Sequence, residues 1–139
     1  MRELLIVSHG TLAEGIIESG KVILGDAINA KSCCLKMNMG IEDFKREVNE
    51  IIKGLKSADE IVILADLKGG SPYTATLAAL DENGLLSKSV IITGVNLPLL
   101  INVSLKEDTI TEEDIESLIS ESRKAIDRFE IIDDEEDSL

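Results

Sequence analysis

The chain has 139 residues, enough for one domain, and its core must be built from Ile, Leu, Val and Ala because only 2% of the residues are aromatic. Its 27 acidic residues outnumber the 14 basic ones, and the formal charge of −13 argues against nucleic acid or an anionic membrane surface as a partner but allows a basic protein. We predict a single domain over residues 1–132 and an acidic, disordered tail over residues 133–139.

The predicted elements alternate between strand and helix from the start of the chain. The first strand covers residues 4–7, and the first helix covers residues 12–24 and stops at Gly25. A second strand covers residues 30–37, and an amphipathic helix follows over residues 41–55. The adjacent Cys33 and Cys34 lie in this second strand and do not suit a disulfide, so we interpret them as strand residues in a reducing compartment, with a reactive thiol as the alternative.

The second half of the chain continues the alternation. A third strand over residues 61–65 precedes a helix over residues 73–80, and a fourth strand over residues 88–93 precedes a helix over residues 99–105. Thr111 and Asp114 resemble a capping box that opens the last helix, and residues 129–132 predict a fifth, short strand. This order predicts an α/β fold, a doubly wound, flavodoxin-like parallel sheet with helices on both faces.

We expect the protein to be cytoplasmic. The chain starts without the layout of a signal peptide. Its longest uncharged run, residues 89–105, contains polar interruptions and is short for a membrane span.

Two loops that follow strands carry the candidate chemistry. His9, the only histidine, ends the first strand, and Asp66 follows the third. In the strand order 2-1-3-4 these two strands are neighbours at the switch point of the sheet, so we predict that Asp66 lies beside His9. A carboxylate that accepts the Nδ1 proton would leave Nε2 as a nucleophile and would stabilise the cation that forms.

The loop after Asp66 suits an anion. Gly69 and Gly70 allow a ligand to approach the backbone, and Ser71 is predicted to be the N-cap of a helix with Pro72 in its first position. The N–H groups around Gly69, Gly70 and Ser71 would hold a phosphoryl group on His9 without a metal or cofactor. Ser71 is a weaker nucleophile candidate because its surroundings lack the G-x-S-x-G form.

Other interpretations of these residues stay open. His9 can be a structural histidine, and Asp66 can be an ordinary loop acid. The same edge of the sheet can belong to a non-catalytic, flavodoxin-like module that binds an anion or a nucleotide. A metal-free, histidine-dependent hydrolase is disfavoured because no other nucleophile is well placed.

Three segments in this order resemble the IIA component of the mannose-type (mannose/fructose/sorbose) family of the bacterial phosphoenolpyruvate-dependent sugar phosphotransferase system (PTS): Ile6-Val7-Ser8-His9-Gly10, Asp66-Leu67-Lys68-Gly69-Gly70-Ser71-Pro72 and Gly94-Val95-Asn96-Leu97-Pro98. The resemblance covers residues 1–132. It implies a four-stranded parallel sheet in the order 2-1-3-4. It also implies a fifth, antiparallel edge strand that the two subunits of a homodimer exchange, which gives residues 129–132 a role.

The resemblance further implies a phosphotransferase that works through a phosphohistidine. His9 would be the phosphorylated residue, Asp66 its hydrogen-bonding partner, and Gly69, Gly70 and Ser71 the lining of the phosphoryl site. The donor would be phospho-HPr and the acceptor a IIB protein, which acts with the membrane components IIC and IID. No fused IIB domain follows in the sequence, so we expect the acceptor to be a separate chain.

Two positions depart from the family pattern. Lys68 stands where members often carry an aromatic or another residue, and Thr74 stands where Asn is common. We expect the Lys68 cation to alter the fit of partners without abolishing transfer.

Overall fold

A computed structural model, which describes residues 1–132, shows strands and helices in alternation. The strands are β1 (Arg2–His9), β2 (Lys31–Leu35), β3 (Glu60–Ala65) and β4 (Ser89–Thr93). The helices are α1 (Leu12–Leu24), α2 (Ile41–Lys53), α3 (Ser71–Glu82), α4 (Leu97–Leu105) and α5 (Glu112–Lys124). All neighbouring strands are parallel and their order is β2-β1-β3-β4, which confirms the predicted fold class and strand order.

The two faces of the sheet build two apolar cores. Leu4 and Ile6 of β1 pack on the side of α1, α4 and α5, whereas Leu5 and Val7 pack on the side of α2 and α3. Successive residues of a strand point to opposite faces, so a strand covered on both sides needs a continuous apolar run. The short apolar runs of the sequence were therefore reliable signals of the strands.

Cys33 and Cys34 lie in β2 as predicted, and each contributes to a different core. Both are buried free cysteines. Burial raises the pKa of the Cys33 thiol to about 12. Because the thiolate is the reactive form, this protonated thiol is not a nucleophile at neutral pH.

The start of α3 differs from the prediction by one residue. Gly70 is the N-cap, with an extended backbone (φ −75°, ψ 166°), and Ser71 is already helical. The Ser71 side chain makes no capping hydrogen bond. At α5 the predicted capping box is confirmed, since Thr111 and Asp114 exchange both of its hydrogen bonds.

Residues 125–132 form no strand, so the predicted fifth strand is not seen in the single chain. Phe129 and Ile131 are 88% and 81% exposed, and β4 pairs with β3 alone among the described strands. An isolated extended segment has no ladder to join unless another strand edge is available to it. The exchanged strand thus stays a prediction, and the predicted acidic tail lies outside the described residues.

None of the helices in the described part of the chain is long and apolar enough to cross a membrane.

Candidate functional site

His9 and Asp66 meet at the carboxyl ends of β1 and β3. Asp66 Oδ2 lies 2.9 Å from His9 Nδ1 and also accepts a hydrogen bond from the backbone N–H of His9 at 2.8 Å. The strand order explains this contact, because Val7 and Ala65, which precede the two loops, are paired in the sheet. One carboxylate oxygen thereby fixes both the backbone and the ring of His9.

The two ring nitrogens of His9 have different surroundings, with Nδ1 next to Asp66 and Nε2 on the opposite side of the ring. The His9 side chain is 45% exposed, whereas that of Asp66 is 12% exposed. An ionised carboxylate only accepts hydrogen bonds, so Nδ1 carries the proton in the neutral ring and Nε2 carries the lone pair. No hydrogen bond within residues 1–132 involves Nε2. This nitrogen is the atom that a reactant can reach.

The second carboxylate oxygen of Asp66 has an unusual environment. Oδ1 is buried and has no hydrogen-bond partner among the described residues. An unsatisfied buried acceptor costs roughly 1–3 kcal/mol of stability. Such groups are uncommon in folded proteins and call for a role other than stability. The placement of Asp66 is thus explained by its contact with His9 rather than by a gain in folding energy.

The turn after His9 requires a glycine. Gly10 has a φ of +58°, in the left-handed region that disfavours other residues. Its N–H donates a hydrogen bond of 2.8 Å to the carbonyl of Leu35 at the end of β2. The chain therefore turns sharply from β1 towards α1 directly beside the imidazole.

Gly70 of the second loop packs against the imidazole. A Cβ built on Gly70 would lie 2.7 Å from His9 Cε1 and 3.3 Å from Nε2. The N–H of Gly70 donates to the carbonyl of Leu67, which closes the turn, and Gly69 in this turn has a φ of +83°. Both glycines are thus explained by geometry, Gly69 by its backbone conformation and Gly70 by the space that the ring occupies.

The N-terminus of α3 completes the site. The first intrahelical bond runs from the Thr74 N–H to the Gly70 carbonyl, so the N–H groups of Ser71 and Tyr73 come before it, and Pro72 has none. Ser71 is exposed and its hydroxyl is not used as a cap. These N–H groups and the positive end of the helix dipole favour an anion next to the His9 ring.

Gly70→Ala tests whether the packing of this glycine holds the ring. We expect the fold to persist, because a φ of −75° suits alanine. If His9 takes up a phosphoryl group, as the resemblance implies, we expect that uptake to fall by roughly tenfold or more because the methyl group displaces the imidazole. Gly40→Ala is the matched control. Gly40 is the N-cap of α2 with nearly the same backbone (φ −74°, ψ 150°), and nothing nearer than 3.6 Å would meet its Cβ. Equal uptake in the two variants would contradict the steric role.

A cavity of about 480 Å³ lies beside this site, between the carboxyl end of β4 and α5. Two basic side chains, Lys68 and Arg123, contribute to its lining together with Tyr73 and Thr93. Neither cation has a carboxylate within 4.0 Å among residues 1–132. Lys68 was predicted from the sequence to be a cation near the site, whereas Arg123 was not, because its position in a helix carries no signal that it lines this cavity.

The described residues hold no group of three or more His, Cys, Asp or Glu side chains that could bind a metal ion.

Comparisons with known proteins give consistent similarities. The family model EIIA-man, described as "PTS system fructose IIA component", matches residues 3–119. The fructose-specific EIIA component of the PTS from Bacillus subtilis (strain 168) is 26% identical over 126 residues, which cover 90% of this chain and 84% of that protein. The mannose-specific EIIAB component of Escherichia coli (strain K12) is 24% identical over 105 residues, 76% of this chain but only 32% of that longer protein.

The fold also has solved counterparts. The mannose/sorbose-specific IIA subunit from Enterococcus faecalis superposes with a TM-score of 0.81 at 22% identity, and the match covers 95% of this chain and 97% of that one.

Proposed function

This chain belongs to the EIIA-man family of PTS IIA components, and from that premise we propose that it carries phosphoryl groups from phospho-HPr to a IIB protein through His9. The observation that carries the proposal is the His9 ring, with Nδ1 bonded to a largely buried carboxylate and Nε2 accessible. In this proposal the protein works in the cytoplasm. The IIB protein would pass the phosphoryl group on to a sugar during its uptake, so the membrane components IIC and IID are only indirect partners of this chain.

Transfer to His9 needs one bond to form and one to break. The Nε2 lone pair attacks the phosphorus of phospho-HPr, and the bond between phosphorus and the donor nitrogen breaks with its electron pair going to the donor. The proton on Nδ1 stays in place, so the phosphorylated ring is cationic. Asp66 accepts the hydrogen bond of that Nδ1–H at 2.9 Å and balances the new charge. A nucleophilic side chain of IIB then attacks the same phosphorus, the bond between phosphorus and Nε2 breaks, and neutral His9 is restored.

The phosphoryl oxygens need donors that are already in place. The N–H groups of Gly69, Ser71 and Tyr73 are available donors in the loop that packs against the ring, whereas the Gly70 N–H already donates within the turn. Lys68 lies on the same loop and adds a cation nearby. No metal ion is needed in this scheme, since backbone groups and the helix dipole carry the charge.

The direct test is reconstitution. The chain is incubated with labelled phosphoenolpyruvate, Enzyme I and HPr, and we expect one acid-labile, base-stable phosphate that a IIB protein of the mannose-type family then discharges. A chain that stays unlabelled while HPr is phosphorylated would contradict the proposal and favour the non-catalytic, anion-binding alternative. Omission of HPr separates transfer by HPr from direct labelling by Enzyme I.

We also propose that the protein is a homodimer in which residues 129–132 pair with the free edge of β4 in the second copy. Two observations support this proposal. β4 forms one edge of the described sheet, and the apolar side chains of Phe129 and Ile131 are almost fully exposed in the single chain. A free strand edge and an unpaired apolar segment both gain by pairing, and the exchange of identical segments about a two-fold axis gives a closed dimer.

Truncation before Arg128 should weaken the dimer by at least about tenfold, because it removes the apolar anchors of the exchanged segment. Deletion of residues 133–139 alone should change dimerisation little, which makes it the matched control. Sedimentation of both truncations and of the full chain measures the effect. A full chain that is monomeric at micromolar concentration would contradict the dimer. An undiminished dimer after the longer truncation would contradict the role of residues 129–132.

A further inference from the structure

Ser8, the residue before His9, is a buried polar side chain that the proposed chemistry does not use. It is 0% exposed. Because side chains alternate along β1, Ser8 shares a face with Ile6 and points towards α1, whereas His9 points towards α3 and Gly70. A side chain in this place cannot touch a phosphoryl donor or acceptor.

The Ser8 hydroxyl joins three parts of the chain. Oγ accepts a hydrogen bond of 2.8 Å from the N–H of Ala13 in the first turn of α1. The same hydroxyl donates at 3.1 Å to the carbonyl of Gly10, the residue with a positive φ that turns the chain. Ser8 thus links the end of β1, the turn and the start of α1. His9 lies between Ser8 and Gly10, so the chain is fixed on both sides of the histidine.

Helix α1 depends on this hydroxyl for its N-terminal hydrogen bonding. The N-cap residue, Thr11, makes no side-chain capping bond. An N–H in the first turn needs an acceptor from outside the helix, and Ser8 supplies it to Ala13. The function that an N-cap side chain normally has is here performed by the residue that precedes the histidine.

The hydroxyl serves a buried N–H group. Ser8 lies opposite Cys34 in the register of β1 and β2, with Oγ 3.8 Å from Cys34 Sγ. Ser8 and Cys34 are both buried, and the hydrogen bond from the Ala13 N–H to Ser8 Oγ is buried as well. Removal of the hydroxyl leaves this N–H without its acceptor and releases the part-buried carbonyl of Gly10, which turns the chain.

We propose that Ser8 is a positioning residue for His9, which fixes the turn so that the ring keeps its contact with Asp66. The inference rests on the proposed function of His9. Reacting groups must be held within about 0.5 Å of the productive geometry, and a misplacement of about 1 Å costs roughly a hundredfold in rate. The backbone of His9 is held by Asp66 on one side, and Ser8 fixes the chain on the other.

Ser8→Ala tests the proposal against Ser122→Ala. Ser122 is also buried, and its hydroxyl donates at 2.7 Å to the carbonyl of Leu118 in α5, so Ser122→Ala removes a buried serine hydroxyl and its hydrogen bond in another helix. We expect Ser8→Ala to lower the kcat for phosphoryl uptake from phospho-HPr by roughly ten- to a hundredfold at unchanged KM, and Ser122→Ala to leave both constants unchanged. KM stays constant because HPr cannot reach Ser8.

A spectroscopic readout separates positioning from simple loss of stability. The ¹⁵N shifts of the His9 ring, the only histidine, report the share of the Nδ1–H tautomer. We expect this share to fall in Ser8→Ala at a temperature where circular dichroism shows the variant to be folded. Should Ser8→Ala not fold, Ser8→Cys takes its place, because its thiol has a similar shape and is a weaker acceptor.

The outcomes distinguish this inference from the proposed function. Wild-type tautomer and wild-type kcat in a folded Ser8 variant would overturn the positioning role, as would equal losses in Ser8→Ala and Ser122→Ala. If wild-type protein takes up no phosphate at all, the proposed function fails, while the tautomer measurement still decides whether Ser8 positions the ring.

Discussion

His9→Ala should fold like the wild type and take up no phosphoryl group from phospho-HPr. His9 is the only histidine, so no second imidazole can replace it. The stability change should be about 1 kcal/mol or less, because the lost Nδ1 contact is partly exposed and the backbone N–H of residue 9 still donates to Asp66. Label uptake and thermal unfolding, measured on the same preparation, check both statements.

The matched control for this variant is Lys68→Ala. A phosphorylated lysine is also acid-labile, and Lys68 lies on the loop after Asp66, near the ring. Acid-labile label alone therefore does not distinguish His9 from Lys68. Loss of the label in His9→Ala and its retention in Lys68→Ala would assign it to His9. We expect Lys68→Ala to keep its label and to show an altered KM for HPr or IIB. Labelling of His9→Ala at the wild-type rate would show that another residue carries the phosphoryl group.

The sheet and the His9–Asp66 pair were predictable because both follow from patterns that are local in sequence. Continuous apolar runs indicate buried parallel strands, and the alternation with amphipathic segments predicts right-handed crossovers. Strand order then places the ends of β1 and β3 side by side. The positions of His9 and Asp66 at the strand ends, together with the strand order 2-1-3-4 of flavodoxin-like sheets, were enough to expect the contact between them, which measures 2.9 Å.

Contacts that arise in three dimensions were not predictable in the same way. Ser71 was expected as the N-cap because serine is favoured there, but Gly70 takes the position, where a Cβ would collide with His9. The hydrogen bonds of Ser8 follow no periodic pattern, since they depend on how tightly the turn at Gly10 closes. The buried, unpaired Oδ1 of Asp66 likewise has no sequence signal.

Residues 129–132 illustrate a third case. Their short, mostly apolar sequence predicts a strand, yet a strand exists only where a ladder partner is available. In the single chain the segment has no regular structure and its apolar side chains are exposed. We therefore interpret the pattern as a prediction about an assembly, which the sedimentation experiment on the two truncations tests.

Asp66→Asn should keep the fold and slow phosphoryl transfer by roughly 10² to 10⁴. Asp66 Oδ2 alone accepts from both the N–H and Nδ1 of His9, and the single oxygen of an amide can take over both hydrogen bonds in only one of its two orientations. If the amide oxygen takes the place of Oδ2, its NH₂ group occupies the buried position of Oδ1, which has no partner among the described residues. If the amide is flipped, the NH₂ group faces two donors. In both orientations the negative charge that balances the phosphorylated imidazolium is lost.

Asp114→Asn is the control that separates this effect from the loss of any carboxylate. Asp114 also accepts a backbone N–H, that of Thr111, and this hydrogen bond lowers the pKa of its carboxyl to about 2, so the group is ionised at neutral pH as the catalytic role of Asp66 would require. It lies at the start of α5, outside the candidate site. We expect Asp114→Asn to lower stability and to leave kcat and the tautomer of His9 unchanged. Asp66→Asn should lower kcat and raise the share of the Nε2–H tautomer, in which the proton occupies the lone pair of the nitrogen that acts as nucleophile. Transfer at the wild-type rate in Asp66→Asn would mean that the carboxylate neither orients His9 nor stabilises its charged form, and the short contact between them would then be structural.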